Sequence, residues 1–213
     1  MKQKNAGDTA PKMKGYRVAI AALQQKKIPD AWPEEISVKP LNVRDEVISY
    51  CGYCLLSYDW LKPLANWIGS RSCLEIMCGS GALSKGLQDF GVKIRATDDH
   101  SWMKDHATSW FVDAWTDIEQ LDAVGAVEKY GKDTDLVICS WPYRSEDCYQ
   151  ALLKMRKVNP GCFMIYIGEW IGGGTASDSF FAEADCVEDA SFQQAVQQFK
   201  SLCGNTDRPY LIQ

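Results

Sequence analysis

The sequence predicts an α/β fold, with a mostly parallel sheet and helices on both of its faces. From residue 73 onward, short apolar runs alternate with helical patterns of about ten residues, which is typical of parallel sheets. Glycines and polar residues follow the apolar runs. Because parallel strands end at the same edge of a sheet, and ligands bind at that edge, these residues are the candidate site. They lie at 75–81, 98, 113, 140–143 and 169–174.

The chain before the sheet is predicted to be helical. We divide it into a basic N-terminal arm and helical lead-in over residues 1–44, followed by the main domain over residues 45–213. A short helix is predicted at 16–27, with Val18, Ile20 and Leu23 facing inward. Prolines then keep the chain extended, and an apolar pattern predicts one helix or two over 42–68.

The elements of the sheet follow in alternation. Each predicted strand is a short apolar run, and the first ends in glycines. Gly91 ends the first helix after the sheet begins. Strands are predicted at 73–77, 92–97, 111–113, 136–139, 162–167 and 209–212. Helices are predicted after residue 101 and at 82–90, 117–130, 146–157 and 192–202.

Composition excludes several classes of protein. The 213 residues carry a formal net charge of -5, so bulk binding to nucleic acid gains nothing from long-range attraction. No apolar run reaches membrane-spanning length, and no secretory leader is visible. The nine cysteines lie in mostly apolar surroundings, which predicts free thiols and a cytoplasmic location. The basic arm is either a solvated tail or a segment that contacts phosphate.

The loop after the first strand is the strongest chemical signal. Gly79 and Gly81 allow a tight turn, and the helix that follows offers free amide groups to a ligand. A dinucleotide fingerprint needs a third glycine where Ser84 stands, and Glu75 would repel a pyrophosphate. This disfavours an NAD-type oxidoreductase. A carboxylate there suits a cationic ligand such as S-adenosylmethionine, and Asp98 is placed to accept hydrogen bonds from a ribose.

The segment from Leu74 to Gly81 resembles the acidic-x-Gly-x-Gly-x-Gly loop of class I S-adenosylmethionine-dependent methyltransferases. It differs at the first glycine, which is Met77 here. The resemblance implies a Rossmann-like sheet of seven strands with an N-terminal helical cap. It also implies that Asp113 lies beside the adenine. The residues implied to hold S-adenosylmethionine are Glu75, Met77, Gly79, Gly81, Asp98 and Asp113.

Ser140-Trp141-Pro142-Tyr143 resembles the Asp/Asn/Ser-Pro-Pro-Tyr/Phe motif of methyltransferases that act on amino groups. Trp141 replaces the first proline, or one proline is missing from a Ser-Trp-Pro-Pro-Tyr run. The resemblance implies that oxygens of this segment accept hydrogen bonds from a planar amine, with Tyr143 stacked on it. The alternative is a turn containing proline and packed by two aromatic rings.

Two further segments need an interpretation. Glu169 follows the fifth strand and precedes three glycines, so this segment is predicted to be a substrate loop, with Glu169 as a base or as the partner of a cation. Cys51 and Cys54 have the spacing of a redox pair. No strand precedes them, and no second ligand pair completes a zinc site, so we predict neither redox chemistry nor a metal.

The sequence therefore predicts an S-adenosylmethionine-dependent methyltransferase. The acceptor is predicted to be a nitrogen on a small or planar molecule, and a small metabolite, a nucleobase and a protein amine all stay open. The catalytic candidates are Ser140, Pro142, Tyr143 and Glu169. The alternative from another class is a non-catalytic domain that binds the cofactor or a partner chain.

Overall fold

The computed structural model describes residues 9–33, 41–104, 113–202 and 204–213. In these parts the chain forms a sheet of six strands in the order β3-β2-β1-β4-β5-β6. Strands β1 to β5 are parallel, and β6 is antiparallel to β5. The prediction of a mostly parallel α/β fold is confirmed. The strands are β1 (Cys73–Ile76), β2 (Ile94–Asp98), β3 (Ile118–Gln120), β4 (Leu136–Ser140), β5 (Phe163–Gly168) and β6 (Arg208–Ile212).

Helices cover both faces of the sheet. Three of them precede β1, and the stretch over 42–68, which was predicted to form one helix or two, forms two. Two short 3-10 helices lie at Ser101–Lys104 and Gly131–Asp133. The α-helices are α1 (Thr9–Gln24), α2 (Leu41–Cys51), α3 (Tyr58–Ile68), α4 (Ala82–Gln88), α5 (Ala123–Tyr130), α6 (Asp147–Val158), α7 (Asp178–Glu183) and α8 (Ala190–Ala195).

The core consists of two apolar layers, one on each face of the sheet. Alternate residues of a strand point to opposite faces, and in β4 Ile138 packs with α1 to α4 and α8, whereas Val137 packs with α5 to α7. Both residues are fully buried. The central strands therefore read as continuous apolar runs, as expected for a sheet covered on both sides.

The third strand does not lie where the sequence predicted it. We expected a strand at 111–113 and a helix from residue 117. Residues 111 and 112 lie outside the described parts of the chain, and Asp113 is not in a strand. Instead Ile118–Gln120 pairs with β2, and the helix begins only at residue 123. Pairing with β2 overrides the weak helical pattern of this short segment.

The described sheet has six strands and not the predicted seven. Between α7 and α8 the chain touches the outer side of β6 through a single bridge, in which Cys186 pairs with Ile212 in antiparallel orientation. The adjacent Val187 donates its N–H to the carbonyl of Leu211, at 2.8 Å. This contact amounts to an isolated bridge with a few hydrogen bonds, and it does not form a strand.

The N-terminal helices share the main core. Tyr16 and Leu23 of α1 are buried in the same apolar layer as α2, α3 and the near face of the sheet. The division at residue 44 and the role of these helices as a cap over a ligand stay predictions. Within the described parts, no helix is both long enough and apolar enough to cross a membrane.

Candidate functional site

A cavity of about 380 Å³ opens at the carboxyl ends of β1 to β5. Its volume falls within the range of about 300–1,000 Å³ that is typical of small-molecule sites. Its walls come from the loops after β1, β2, β3, β4 and β5, from the α2–α3 connection and from the loop before β6. The predicted residues Glu75, Met77, Gly79, Asp98, Ser140, Pro142, Tyr143 and Glu169 all line it.

Unusual backbone conformations gather at this edge. Five of the described non-glycine residues have positive φ angles, and four of them lie in loops at the carboxyl ends of strands. A left-handed conformation costs a side-chain-bearing residue on the order of 1–3 kcal/mol, and such residues cluster at functional sites. These four are Met77 after β1, His100 after β2, Trp141 after β4 and Ala176 after β5.

The glycine loop takes the expected sharp turn even though its first glycine is missing. Met77 has a φ of 53°, so it adopts the conformation that a glycine would adopt more easily. Gly79 and Gly81 follow with φ angles of 56° and 71°. Gly79 lines the cavity, whereas Gly81 is the N-cap of α4 and packs against Thr116 and Ile118. Gly81 therefore shapes the turn on the side of the loop that faces away from the cavity.

Glu75 is a buried carboxyl group held by the start of α4. Its Oε2 accepts hydrogen bonds from the N–H of Ser84, at 3.0 Å, and from the Ser84 hydroxyl. Burial raises the pKa of Glu75 to about 8, and the two bonds from Ser84 oppose that rise only in part. From the sequence, Ser84 was considered only as the position at which a dinucleotide fingerprint needs a glycine. In the structure, Ser84 holds the side chain of Glu75, the central acid of the site.

Asp98 fastens the loop after β2 to the glycine loop. Its Oδ2 accepts the N–H of Gly79 at 2.7 Å, and its Oδ1 accepts the N–H of His100 at 2.7 Å and Nε1 of Trp102 at 3.0 Å. Burial raises the pKa of Asp98, while these hydrogen bonds lower it. A carboxylate offers about four acceptor positions, so one position is left for a ligand.

The neighbouring Asp99 was missed as a candidate. It is exposed and lines the cavity, and one of its oxygens accepts the N–H of Ser101 at 2.8 Å. The other oxygen can accept a second ligand hydroxyl. The signal was present in the sequence, because two consecutive acids end β2.

Asp113, which the resemblance placed beside the adenine, does not line the cavity. Its side chain is exposed and lies 3.4 Å from the ammonium group of Lys26. The reason is the shifted third strand. The acid that follows the true β3 is Asp122, which lines the cavity and caps α5 by accepting the N–H of Gly125 at 2.7 Å.

The Ser140–Tyr143 segment does not have the backbone of a Pro-Pro motif. Trp141 has a φ of 52° and donates its N–H to the carbonyl of Ile167 at 2.7 Å. Proline cannot adopt that φ and has no N–H to donate, so Trp141 is not a simple replacement of the first proline. Its ring stacks on Tyr53, with centroids 5.1 Å apart and planes 22° apart. The likeness to the amino-group motif is therefore one of sequence.

The other predicted acceptor residues have distinct positions. Pro142 is buried, and Tyr143 is exposed at the mouth of the cavity. Glu169 Oε2 accepts the N–H of Gly174 at 2.8 Å, and its Oε1 accepts the N–H of Thr206 at 3.1 Å. Both carboxylate oxygens thus accept hydrogen bonds that connect two loops. Glu169 therefore has a structural role, and both of its oxygens are already engaged at the point where it would act as a base.

The loop before β6 is a part of the site that sequence reasoning missed. Asn205 lines the cavity, and Asp207 Oδ2 accepts Nε1 of Trp141 at 2.9 Å. Burial raises the pKa of Asp207 to about 6, against the hydrogen bond from Trp141. No sequence motif marks these residues, because they reach the site only through the antiparallel return of β6.

The remaining lining residues include the thiols of Cys51, Cys54 and Cys78 and one cation. Burial raises the pKa of Cys51 to about 12 and that of Cys54 well above its usual range, so both stay protonated at neutral pH. Arg44 is the one basic residue among the described lining residues. The acids there number six, namely Glu75, Asp98, Asp99, Asp122, Asp147 and Glu169.

No model of a protein family matches the chain, and neither does any curated protein. Solved structures do match. TehB from Haemophilus influenzae is 12% identical, with 80% of this chain and 66% of that chain covered and a TM-score of 0.46. Magnesium protoporphyrin IX methyltransferase from Synechocystis, with S-adenosylmethionine bound, is 11% identical, with 98% and 99% covered and a TM-score of 0.44.

The mitomycin 7-O-methyltransferase MmcR is also similar, at 12% identity, with 96% of this chain and 68% of that chain covered and a TM-score of 0.44. Methyltransferases are therefore among the structural neighbours of this chain. At such identities and scores the likeness concerns general architecture alone. The chemistry proposed below depends on the cavity of this chain.

Proposed function

We propose that the protein is a methyltransferase that uses S-adenosylmethionine. The observation that carries this proposal is the arrangement of Glu75, the turn through Gly79 and Asp98 on two neighbouring strands around one cavity. When bound, the cofactor supplies an electrophilic methyl group that a lone pair of the acceptor can take. The chain's own contribution is to bind, orient and desolvate the reacting groups.

The charge of the cavity favours a cationic ligand. Six acids and one arginine are found among its described lining residues. An acidic cleft attracts cations and repels the two phosphates of a dinucleotide. The cofactor carries an ammonium and a sulfonium, so it fits this cavity better than NAD does. With a pKa of about 8, the buried Glu75 is mostly neutral at neutral pH, and a nearby cation would favour its charged form.

The hydrogen-bonding groups also fit a ribose. Asp98 keeps one acceptor position, and Asp99 beside it keeps one carboxylate oxygen without a backbone donor. Two adjacent acceptors suit two neighbouring hydroxyl groups. Asp122, at the end of β3, would lie at the adenine side in place of Asp113. The residues proposed to hold the cofactor are Glu75, Met77, Gly79, Asp98, Asp99 and Asp122, with Gly81 shaping the turn.

For the acceptor we propose a nitrogen of a small or planar molecule, a nucleobase or a protein amine. Pro142 contributes a backbone carbonyl but no N–H group, so this wall is rich in hydrogen-bond acceptors. Tyr143 offers a ring at the mouth. The eight described cysteines are free thiols, which suits a reducing compartment, and we propose a cytoplasmic location on that basis.

Isothermal titration calorimetry with S-adenosylhomocysteine and NADH tests the cofactor. We expect S-adenosylhomocysteine to bind and NADH to give no heat, and the reverse result would refute the proposal. Mass spectrometry of a metabolite, oligonucleotide and peptide panel then tests catalysis. A methylated nitrogen is expected, and an O- or S-methyl product would correct the acceptor. If S-adenosylhomocysteine binds while every acceptor stays unmodified, the alternative of a non-catalytic binding domain gains support.

A further inference from the structure

Three buried polar atoms with unused hydrogen-bonding capacity lie where the loop before β6 meets the end of β4. They are Ser140 Oγ, Asn205 Nδ2 and Asp207 Oδ1, none of which has a partner among the residues that the structure describes. Leaving such a group unsatisfied costs about 1–3 kcal/mol. Ser140 and Asn205 line the cavity, whereas Asp207 does not. Two such atoms in the cavity wall are a reason to look for a ligand, because buried polar groups in native proteins are nearly all paired.

The contacts around these atoms show that they belong to one wall. Trp141, next to Ser140, donates Nε1 to Asp207 at 2.9 Å. Thr206, next to Asn205, donates its N–H to Glu169 at 3.1 Å. Ser140 and Asn205 both line the cavity. The loop before β6 is therefore fastened to the ends of β4 and β5, and it presents Asn205 to the same space as Ser140.

A flat apolar surface adjoins these polar groups. The stacked rings of Tyr53 and Trp141 line the cavity, and Asp207 holds the Trp141 ring by its Nε1. Aromatic walls favour planar ligands, which pack against them without losing much conformational freedom. The wall thus combines a planar surface with a donor at Asn205 and a hydroxyl at Ser140.

We propose that Asn205 and Ser140 form a recognition subsite for a carbonyl oxygen that is bonded to, or shares a ring with, an N–H group. The chemical class is a lactam, an amide or an oxo-substituted nitrogen heterocycle. Asn205 Nδ2 donates to the carbonyl oxygen, and Ser140 Oγ accepts the N–H. This subsite deepens the proposed function, because it names the kind of acceptor that the methyltransferase would select.

A matched set of small probes tests the subsite. 2-Pyridone carries the proposed carbonyl and N–H pair, N-methyl-2-pyridone lacks the N–H, and pyridine lacks both the carbonyl and the N–H. Saturation-transfer difference NMR would measure each probe with and without S-adenosylhomocysteine. We expect 2-pyridone to give a signal at least about fivefold larger than either analogue, because the analogues leave buried polar groups unpaired.

Variants assign the signal to the wall. Asn205→Ala removes the donor, and Asn205→Asp keeps the shape while replacing the donor with an acceptor, so both should lose the 2-pyridone signal. Asn66→Ala, on the exposed side of α3, is the matched control and should keep it. Equal signals from all three probes, no 2-pyridone signal, or an unchanged signal in both Asn205 variants would overturn the subsite.

The proposed function has a separate readout in the same samples. S-adenosylhomocysteine binding tests the methyltransferase proposal, whereas the probe signals test the subsite. If S-adenosylhomocysteine fails to bind but 2-pyridone binds through Asn205, the subsite stands and the methyltransferase proposal falls. If the cofactor product binds and 2-pyridone does not, the subsite alone is refuted.

Discussion

The two halves of the cavity are built differently. Around the ends of β1 and β2, the side chains of Glu75 and Asp98 accept five hydrogen bonds from the turn and helix that follow β1 and from the segment that follows β2. Around the ends of β4 and β5, Ser140, Asn205 and Asp207 each keep a buried polar atom without a partner among the described residues. In the first half the acidic side chains are held in place by hydrogen bonds within the protein. In the second half, buried polar atoms are left that a ligand could pair.

The difference teaches how the work of binding is divided. The preorganised half can bind a cofactor that is the same in every turnover without reordering its own side chains, because hydrogen bonds within the protein already fix those side chains in place. A wall with unpaired groups rejects ligands that cannot satisfy those groups, so it provides discrimination. We therefore expect affinity for the cofactor to depend on the first half and selection of the acceptor to depend on the second.

The largest expected effect is that of Asp98→Ala on the cofactor half. The variant removes the acceptor of three donors, one buried and two partly buried, and the ligand's own contact, so S-adenosylhomocysteine should bind at least about a hundredfold more weakly, or ~2.7 kcal/mol. Isothermal titration calorimetry measures this. Asp98→Asn, which keeps the shape and one oxygen, should lose less. Affinity within threefold of the unmodified protein in Asp98→Ala would contradict a cofactor site here.

Tyr143→Ala tests the acceptor half of the cavity. Tyr143 is exposed at the mouth of the acceptor half, so its loss should lower kcat by about tenfold or more through poorer orientation of the acceptor. Affinity for S-adenosylhomocysteine should change by less than about twofold. Tyr143→Phe keeps the ring and should retain most activity. Rates are measured by mass spectrometry with the acceptor found in the panel, and normal turnover in Tyr143→Ala would refute a stacking role.

The third expected effect concerns stability and not binding, and it is a change in the pH dependence of stability in Glu75→Gln. The folded-state pKa of Glu75, about 8, lies above its ordinary value of 4.5. Between these two values the folded protein binds a proton that the unfolded chain has released, so stability falls as the pH rises from 4.5 to 8. Glutamine keeps an oxygen for Ser84 and removes the titration.

Urea unfolding of the unliganded protein at pH 5, 7 and 9 measures that difference. Stability should fall less with pH in Glu75→Gln than in the unmodified chain, by on the order of a few kcal/mol across this range. Asp207 also has a raised pKa and contributes to both proteins alike, whereas Asp98 interacts electrostatically with Glu75, so the difference reports Glu75 together with that interaction. Parallel stability curves would show that Glu75 ionises normally.

The sequence could predict the cofactor half because that half is local. Glu75, Gly79 and Ser84 lie within one strand, turn and helix, and Asp98 ends the next strand. Their spacing alone places them together in a parallel sheet. What the spacing did not reveal was that Met77 takes a left-handed conformation, because nothing in its side chain favours it.

The acceptor half could be predicted only in part because it is assembled over long distances in the chain. Ser140 and Glu169 followed recognisable strands, but Asn205 and Asp207 arrive through an antiparallel strand whose position no motif announces. Asp122 was missed for a different reason. The three-residue strand β3 gains its structure from pairing with β2, and a misplaced strand moved the expected acid to Asp113.

Strand β6 ends the described sheet and is covered on its outer side only by the isolated bridge at Cys186, with consequences for how the protein behaves in concentrated solution. A bare strand invites pairing with a second molecule and so promotes aggregation. Here Pro209 has no N–H to offer, Arg208 is exposed and adds charge, and the Cys186 bridge covers the far end of the strand. This border of the sheet is thereby protected against edge-to-edge association.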